Sequence, residues 1–265
     1  MRQFLNRDLQ SLALAITLAL GHAIPAIAQA IGQIVSDAEN TAKFNPNAAR
    51  KKFEDALKRD PKAWRANFGL GRIAYAQGNY REGLTQTQKA IKLHPGDVTM
   101  NFGVALNQEG LGNYSAAVDE YNLIISKLDK SDPLFQDAVF ARGQVVLRLA
   151  LLSLGAKTTA ASLDAAEKDF SNFIAADGQP QYFAWYHLAC ISAARGNGSL
   201  AADQIRLAWT ALSSDLASDN SVPTAVLQSL LTKDPPKKIG RPGDALPCAP
   251  LKALIAKSLP FQTMP

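Results

Sequence analysis

Three histidines and two cysteines are the residues best suited to nucleophilic, acid–base or metal chemistry: His22, His94, His187, Cys190 and Cys248. A metal site needs several ligands at short fixed spacings, and a nucleophile needs a base in reach with a third group orienting it. No ligand set flanks His94 or His187. His94 precedes Pro95 and reads as a solvated helix-end residue, and His187, between Tyr186 and Leu188, as polar lining or satisfied packing. The carboxylate pairs Glu54 with Asp55 and Asp119 with Glu120 lie among alternating charges, the pattern of a solvated helix face. No H-E-x-x-H, G-x-S-x-G, phosphate-binding loop or glycine-rich dinucleotide turn occurs. This inventory predicts a non-catalytic chain with no cofactor and no metal site.

The N-terminus is organised differently from the rest. Arg2 and Arg7 precede the apolar stretch LALAITLALGHAIPAIAQA, which ends in small residues around Ala26-Ile27-Ala28. That order predicts a secretory signal over residues 1–28, with an uncleaved membrane anchor as the alternative. No Cys follows the apolar run, so lipid attachment is not expected, and the predicted location is the bacterial periplasm. The sequences NYS at 113 and NGS at 197 would be glycosylation acceptors in a eukaryotic source.

Charge is also unevenly spread. The chain carries +5 overall, but Lys233, Lys237, Lys238, Arg241, Lys252 and Lys257 face only Asp234 and Asp244 in the last stretch. Half of the 14 prolines fall there too, which argues against a continuous helix or central strand. The remaining body is close to neutral and has no basic face, so nucleic acid is not an expected partner. The basic tail predicts at most a weak, salt-sensitive attraction to a membrane surface.

The body is periodic. Gly-Asn-Tyr stands at 78–80 and again at 112–114, 34 residues apart, which is the length of one helix-turn-helix repeat. Gly78 is suited to a left-handed helix end, and Asn79 with Glu82 three residues on forms a capping-box pattern for the next helix. The spacing predicts a first helix through WRANFGLGRIAYAQ and a second through YREGLTQTQKAIKLHP. Ala49, Phe53, Ala56 and Pro61 repeat the second-helix pattern one period earlier, so half a repeat is expected before Trp64. After Gly143 the matching small residue is Ala166, about eleven residues late. LLSLGAKTTAASL should therefore lengthen one helix and its turn, an insertion of a kind that costs little at a surface.

These residues resemble the tetratricopeptide repeat family over roughly residues 46–212. AWYHLACISAARGNGSLAADQIRLAWTAL carries the pattern well, with Trp185, Leu188, Ala189, Gly196, Ala201 and Ala208; Thr87 departs from it by replacing an aromatic. The resemblance implies an all-α, tetratricopeptide-like α-solenoid with a Pro-rich basic C-terminal tail. Residues 29–213 would hold about four repeats plus a leading partial one, and 214–265 a capping helix and tail. It further implies a concave groove lined by first helices that holds a protein or peptide. The inward positions would be Arg65, Phe68, Arg72 and Tyr75, then Phe102, Leu106 and Glu109, and finally Phe183, Tyr186, Cys190 and Ala193. Of these, Arg65, Phe68, Arg72, Tyr75, Phe102 and Tyr186 are the expected ligand contacts. The family's carboxylate clamp is absent, because its positions hold Phe68, Arg72 and Gly103.

The expected function is an adaptor or scaffold of the cell envelope. The alternatives are a structural subunit assembling through its convex face and tail, or an accessory domain of an enzyme. In an oxidising compartment Cys190 and Cys248 are a candidate disulfide that would pin the tail to the end of the array. Leu251, Leu254, Ile255 and Leu259 have the spacing of a short capping helix.

Overall fold

The computed structural model describes residues 28–179, 181–218 and 248. The expected signal segment and almost all of the tail, including the capping helix, lie outside the described residues. Among the described residues there are ten helices and no strand, as the all-α expectation requires. They are α1 (28–42), α2 (Pro46–Arg59), α3 (Trp64–Ala76), α4 (Tyr80–Leu93), α5 (Val98–Gly110), α6 (Tyr114–Lys127), α7 (Pro133–Leu152), α8 (Thr159–Ala175), α9 (Gln181–Ala194) and α10 (Gly198–Ser218). The chain forms two compact units, Met1–Met100 and Asn101–Pro265.

Local signals set the helix ends. Gly78, Gly112 and Gly196 all have φ near +78°, a conformation open to glycine at little cost. Each closes the same turn: the Gly N–H donates to the third carbonyl back, and the following Asn N–H donates to the fifth. For Gly78 and Asn79 the acceptors are Tyr75 and Ala74, at 2.9 and 2.8 Å. The repeated Gly-Asn therefore ends a helix by binding its last carbonyls. The expected capping box does not form. The Asn79 side chain makes no cap, and Glu82 instead accepts from Arg50 of α2 at 2.6 Å. Packing brought a guanidinium closer than the cap. Where Pro opens a helix, the preceding residue does cap it: Asn45 accepts from the Ala48 N–H at 3.0 Å and Asp132 from the Leu134 N–H at 2.8 Å.

In the first unit α1 and α2 form a pair ahead of Trp64, where the sequence showed only the second member. Ile31, Val35 and Ala38 of α1 bury against Ala49, Phe53 and Ala56 of α2 and against Ala66, Leu70 and Ile73 of α3. Burying the Phe53 ring is worth about 2 kcal/mol. Helices α3 and α4 approach so closely that a Cβ on Gly71 would stand 2.5 Å from Thr87 Oγ1. Thr87 itself is buried in this contact.

In the second unit Tyr121 takes the corresponding aromatic position. It is fully buried, packs edge-on against Phe102 and donates to Glu109. The delayed match after Gly143 appears as a 20-residue α7 and a 17-residue α8, with Ala166 buried and Phe170 against Gly143. The core here joins α7 to α10: Leu147, Phe170, Phe173, Tyr186, Leu188, Ile191, Ile205 and, from the tail, Cys248.

Candidate functional site

Helix α3 separates its residues by face. Ala66, Asn67, Leu70, Gly71, Ile73 and Ala74 are buried, while Arg65, Phe68, Arg72 and Tyr75 follow at spacings of three, four and three along the other side. Spacings of this kind place side chains in one stripe. Arg65 and Arg72 are exposed, Phe68 and Tyr75 half-buried. Arg65 is already engaged by Glu39 of α1 in a fork, with Nε donating to Oε1 at 3.2 Å and Nη2 to Oε2 at 2.7 Å. No carboxylate among the described residues pairs with Arg72. Tyr75 leans on Tyr80, with ring centroids 5.8 Å apart. The stripe is a mixed aromatic and cationic surface with one arginine unengaged.

Two further expected contacts lie in the second unit. Phe102 is half-buried against Tyr121. Tyr186 is only 1% exposed, in the core beside Cys190 and Cys248, so the expectation that it lines a surface does not match its position. Burial, the Cys190 thiol and Cys248 together hold its hydroxyl well above the ordinary phenol range. The face of α9 that the repeat pattern would turn outward is covered here.

Polar groups from four helices meet in the second unit, among them Glu109, which was expected to line the groove and is instead buried, and His187, which packs. Tyr121 donates to Glu109 Oε1 at 2.6 Å, and Arg148 Nη1 stands 3.9 Å from Glu109 Oε2 while its guanidinium lies 5.5 Å from the Tyr114 ring centre. Glu109 and Arg148 are both buried. Burial pushes the Glu109 carboxyl up to about 7, opposed by the Tyr121 hydrogen bond and the Arg148 charge. His187, fully buried, stacks on Phe170 at 4.8 Å, and its Nδ1 lies 2.6 Å from the Phe183 carbonyl. Burial lowers its pKa to about 4, with the Arg148 charge adding to the effect. No local pattern in the chain marks this meeting of α5, α6, α7 and α9.

The remaining reactive residues are placed simply. His94 is exposed and stacks on Trp64 at 4.3 Å. Asp55 pairs with Arg59 one turn on, and Glu120 accepts from Asn101. Among the described residues no group of His, Cys, Asp and Glu could hold a metal ion, and no helix is long and apolar enough to cross a membrane.

The tetratricopeptide repeat family model matches residues 45–98 and 72–133. Superkiller complex protein 3 of Homo sapiens is 31% identical over 124 residues, which is 47% of this chain and 8% of that protein. The Mus musculus protein of the same name is 37% identical over 73 residues, 28% of this chain and 5% of that one. The chain thus spans only a small fraction of the length of these relatives. Among solved structures, YrrB, a tetratricopeptide repeat protein with an unusual peptide-binding site, aligns with a TM-score of 0.54 at 18% identity over 70% of this chain and 92% of its own. MamA from Desulfovibrio magneticus RS-1, from residue 41 to its end, aligns with a TM-score of 0.57 at 12% identity over 69% and 96%. At these identities the likeness is one of fold.

Proposed function

We propose that this chain, whose residues 45–98 and 72–133 match the tetratricopeptide repeat family model, is a non-catalytic protein-interaction scaffold that binds an acidic segment with apolar side chains along the outer stripe of α3. The observation that carries the proposal is the stripe itself. Arg72 is exposed and, among the described residues, pairs with no carboxylate, and it stands between Phe68 and Tyr75 in the stripe, both half-buried. Aromatic and Arg side chains supply most of the energy at protein interfaces, and a planar guanidinium suits a carboxylate in two-point contact. Arg65 contributes at the end of the stripe by sharing itself with Glu39. In its own unit Phe102 offers a comparable half-buried ring. Tyr186 is left out of direct contact because it is enclosed.

The proposed setting is the cell envelope, in the bacterial periplasm. The basic, apolar, small-residue order of the first 28 residues supports that reading.

A displayed peptide library selected on the full chain tests the proposal. Enriched peptides should combine Asp or Glu with aromatic or aliphatic residues, and Arg72→Glu should weaken their binding about tenfold or more, since one lost charge contact is worth about 1.4 kcal/mol or more. Equal binding by wild type and Arg72→Glu, confirmed as folded by circular dichroism, would refute it.

A further inference from the structure

The chain has two cysteines, 58 positions apart, and the fold brings them together. Both side chains are buried in the second unit's core. In the structure they meet as thiols with a hydrogen bond between the two side chains. The Tyr186 hydroxyl is held by the Cys190 side chain and by the Cys248 backbone. Contacts from the backbone and the side chain of one tail residue therefore fix its position on α9.

We propose that Cys190 and Cys248 are a disulfide site that staples the C-terminal segment to α9. Two buried thiols are by themselves ordinary core residues. What sets this pair apart is that the chain's entire cysteine content meets at one point, reached from opposite ends of a 58-position separation. A disulfide needs the sulfurs about 2 Å apart and the Cβ atoms about 4 Å apart, and two cysteines buried in one cluster are the residues placed to reach it.

The chemistry is thiol–disulfide exchange with a small-molecule disulfide, RS–SR. Cys248 attacks one sulfur of RS–SR, forming a mixed disulfide and releasing one RS⁻. Cys190 gives its proton to that RS⁻, and its sulfur attacks the Cys248 sulfur and expels the second RS⁻, which takes up the proton that Cys248 released. Two protein thiols lose two electrons and two protons, and one RS–SR becomes two RSH. Cys248 acts first because burial pushes the Cys190 thiol well above its ordinary range. The inference stands apart from the peptide-binding proposal, since it concerns a different helix and needs no ligand.

The test uses the full chain, reduced, freed of reductant and equilibrated with oxidised glutathione. The sample is then quenched in acid, denatured and alkylated. The expected result is no alkylated thiol, a monomer lighter by two hydrogens, and one cross-linked peptide pair containing Cys190 and Cys248. The oxidised chain should melt about 10 °C above the reduced chain, because a cross-link over this span restricts the unfolded chain. Cys248→Ser should abolish that difference. Two alkylated thiols, a glutathione adduct that persists, or a disulfide-linked dimer would each overturn the proposal. Cys248→Ser changes only a tail residue, so the comparison survives even if Cys190→Ser fails to fold.

Discussion

Among the described residues, each unit holds one arginine that grips a single carboxylate at two points, and the two forks differ in what surrounds them. In the first unit Arg65 of α3 grips Glu39 of α1 with both partners open to water, at 51% and 35% side-chain exposure. In the second, Arg142 of α7 grips Asp169 of α8 with donor–acceptor distances of 2.9 and 2.6 Å, and Asp169 is 5% exposed. The bonds are alike and their consequences are not. Water replaces a lost exposed partner, whereas a buried carboxylate deprived of its partner keeps its desolvation penalty. The same contrast separates the helices: α3 keeps one face for solvent, while α9 is buried from Tyr182 through Ser192 on nearly every residue. One repeat pattern thus yields a surface in the first unit and a core in the second.

The sharpest way to break this contrast is to remove a ring from each helix. Tyr186→Ala should cost about 3–5 kcal/mol in urea unfolding, as expected for emptying a buried aromatic site. Phe68→Ala, from a half-buried position, should cost about 1 kcal/mol. Similar losses at both positions would mean that α9 is not the more deeply packed helix.

Acidity comes next in size. Glu109 has a folded pKa of about 7, above its unfolded value, so its contribution is favourable at low pH and is lost as pH rises from about 4.5 to 7. His187 has a folded pKa of about 4, below its unfolded value, so stability is lost as pH falls from about 6.5 to 4. Each effect is on the order of 3 kcal/mol, and in the wild type they oppose each other across most of the same window. Glu109→Gln should therefore expose a stability that rises with pH over that range, and His187→Leu one that falls. A pH series of denaturant melts on the two variants reads this directly. Parallel profiles would show that the two groups do not offset each other.

The forks give the smallest differences. Arg142→Ala should destabilise by about 3 kcal/mol, since it strands Asp169, and Arg65→Ala by less than about 1 kcal/mol. Thermal melts of the two single variants compare them, and equal shifts would remove the distinction drawn between the forks.

Much of the fold was legible because its signals are local. Gly78 and Gly112 ended helices where the period placed them, and the late match at Ala166 foretold a longer hairpin. The leading helix α1 escaped notice because its Ile31, Val35 and Ala38 carry no turn motif of the repeat. The site was less legible. Arg65, Phe68, Arg72 and Tyr75 share a face by spacing alone, and the structure keeps them there. Tyr186 has the same spacing on its helix but is enclosed by residues far away in the chain.

The sequence by itself determined the helix pairs from Trp64 onward, their glycine-closed ends and the α3 stripe, because turns and 3.6-residue periodicity act over a few neighbouring residues. Only the tertiary structure decided that Glu82 would serve Arg50 and not a cap, that Glu109 and Arg148 would be buried together, and that Cys248 would reach Cys190. Those outcomes depend on which side chains the packing of distant helices brings together. The desolvation that then shifts their acidity exists only once the helices have packed.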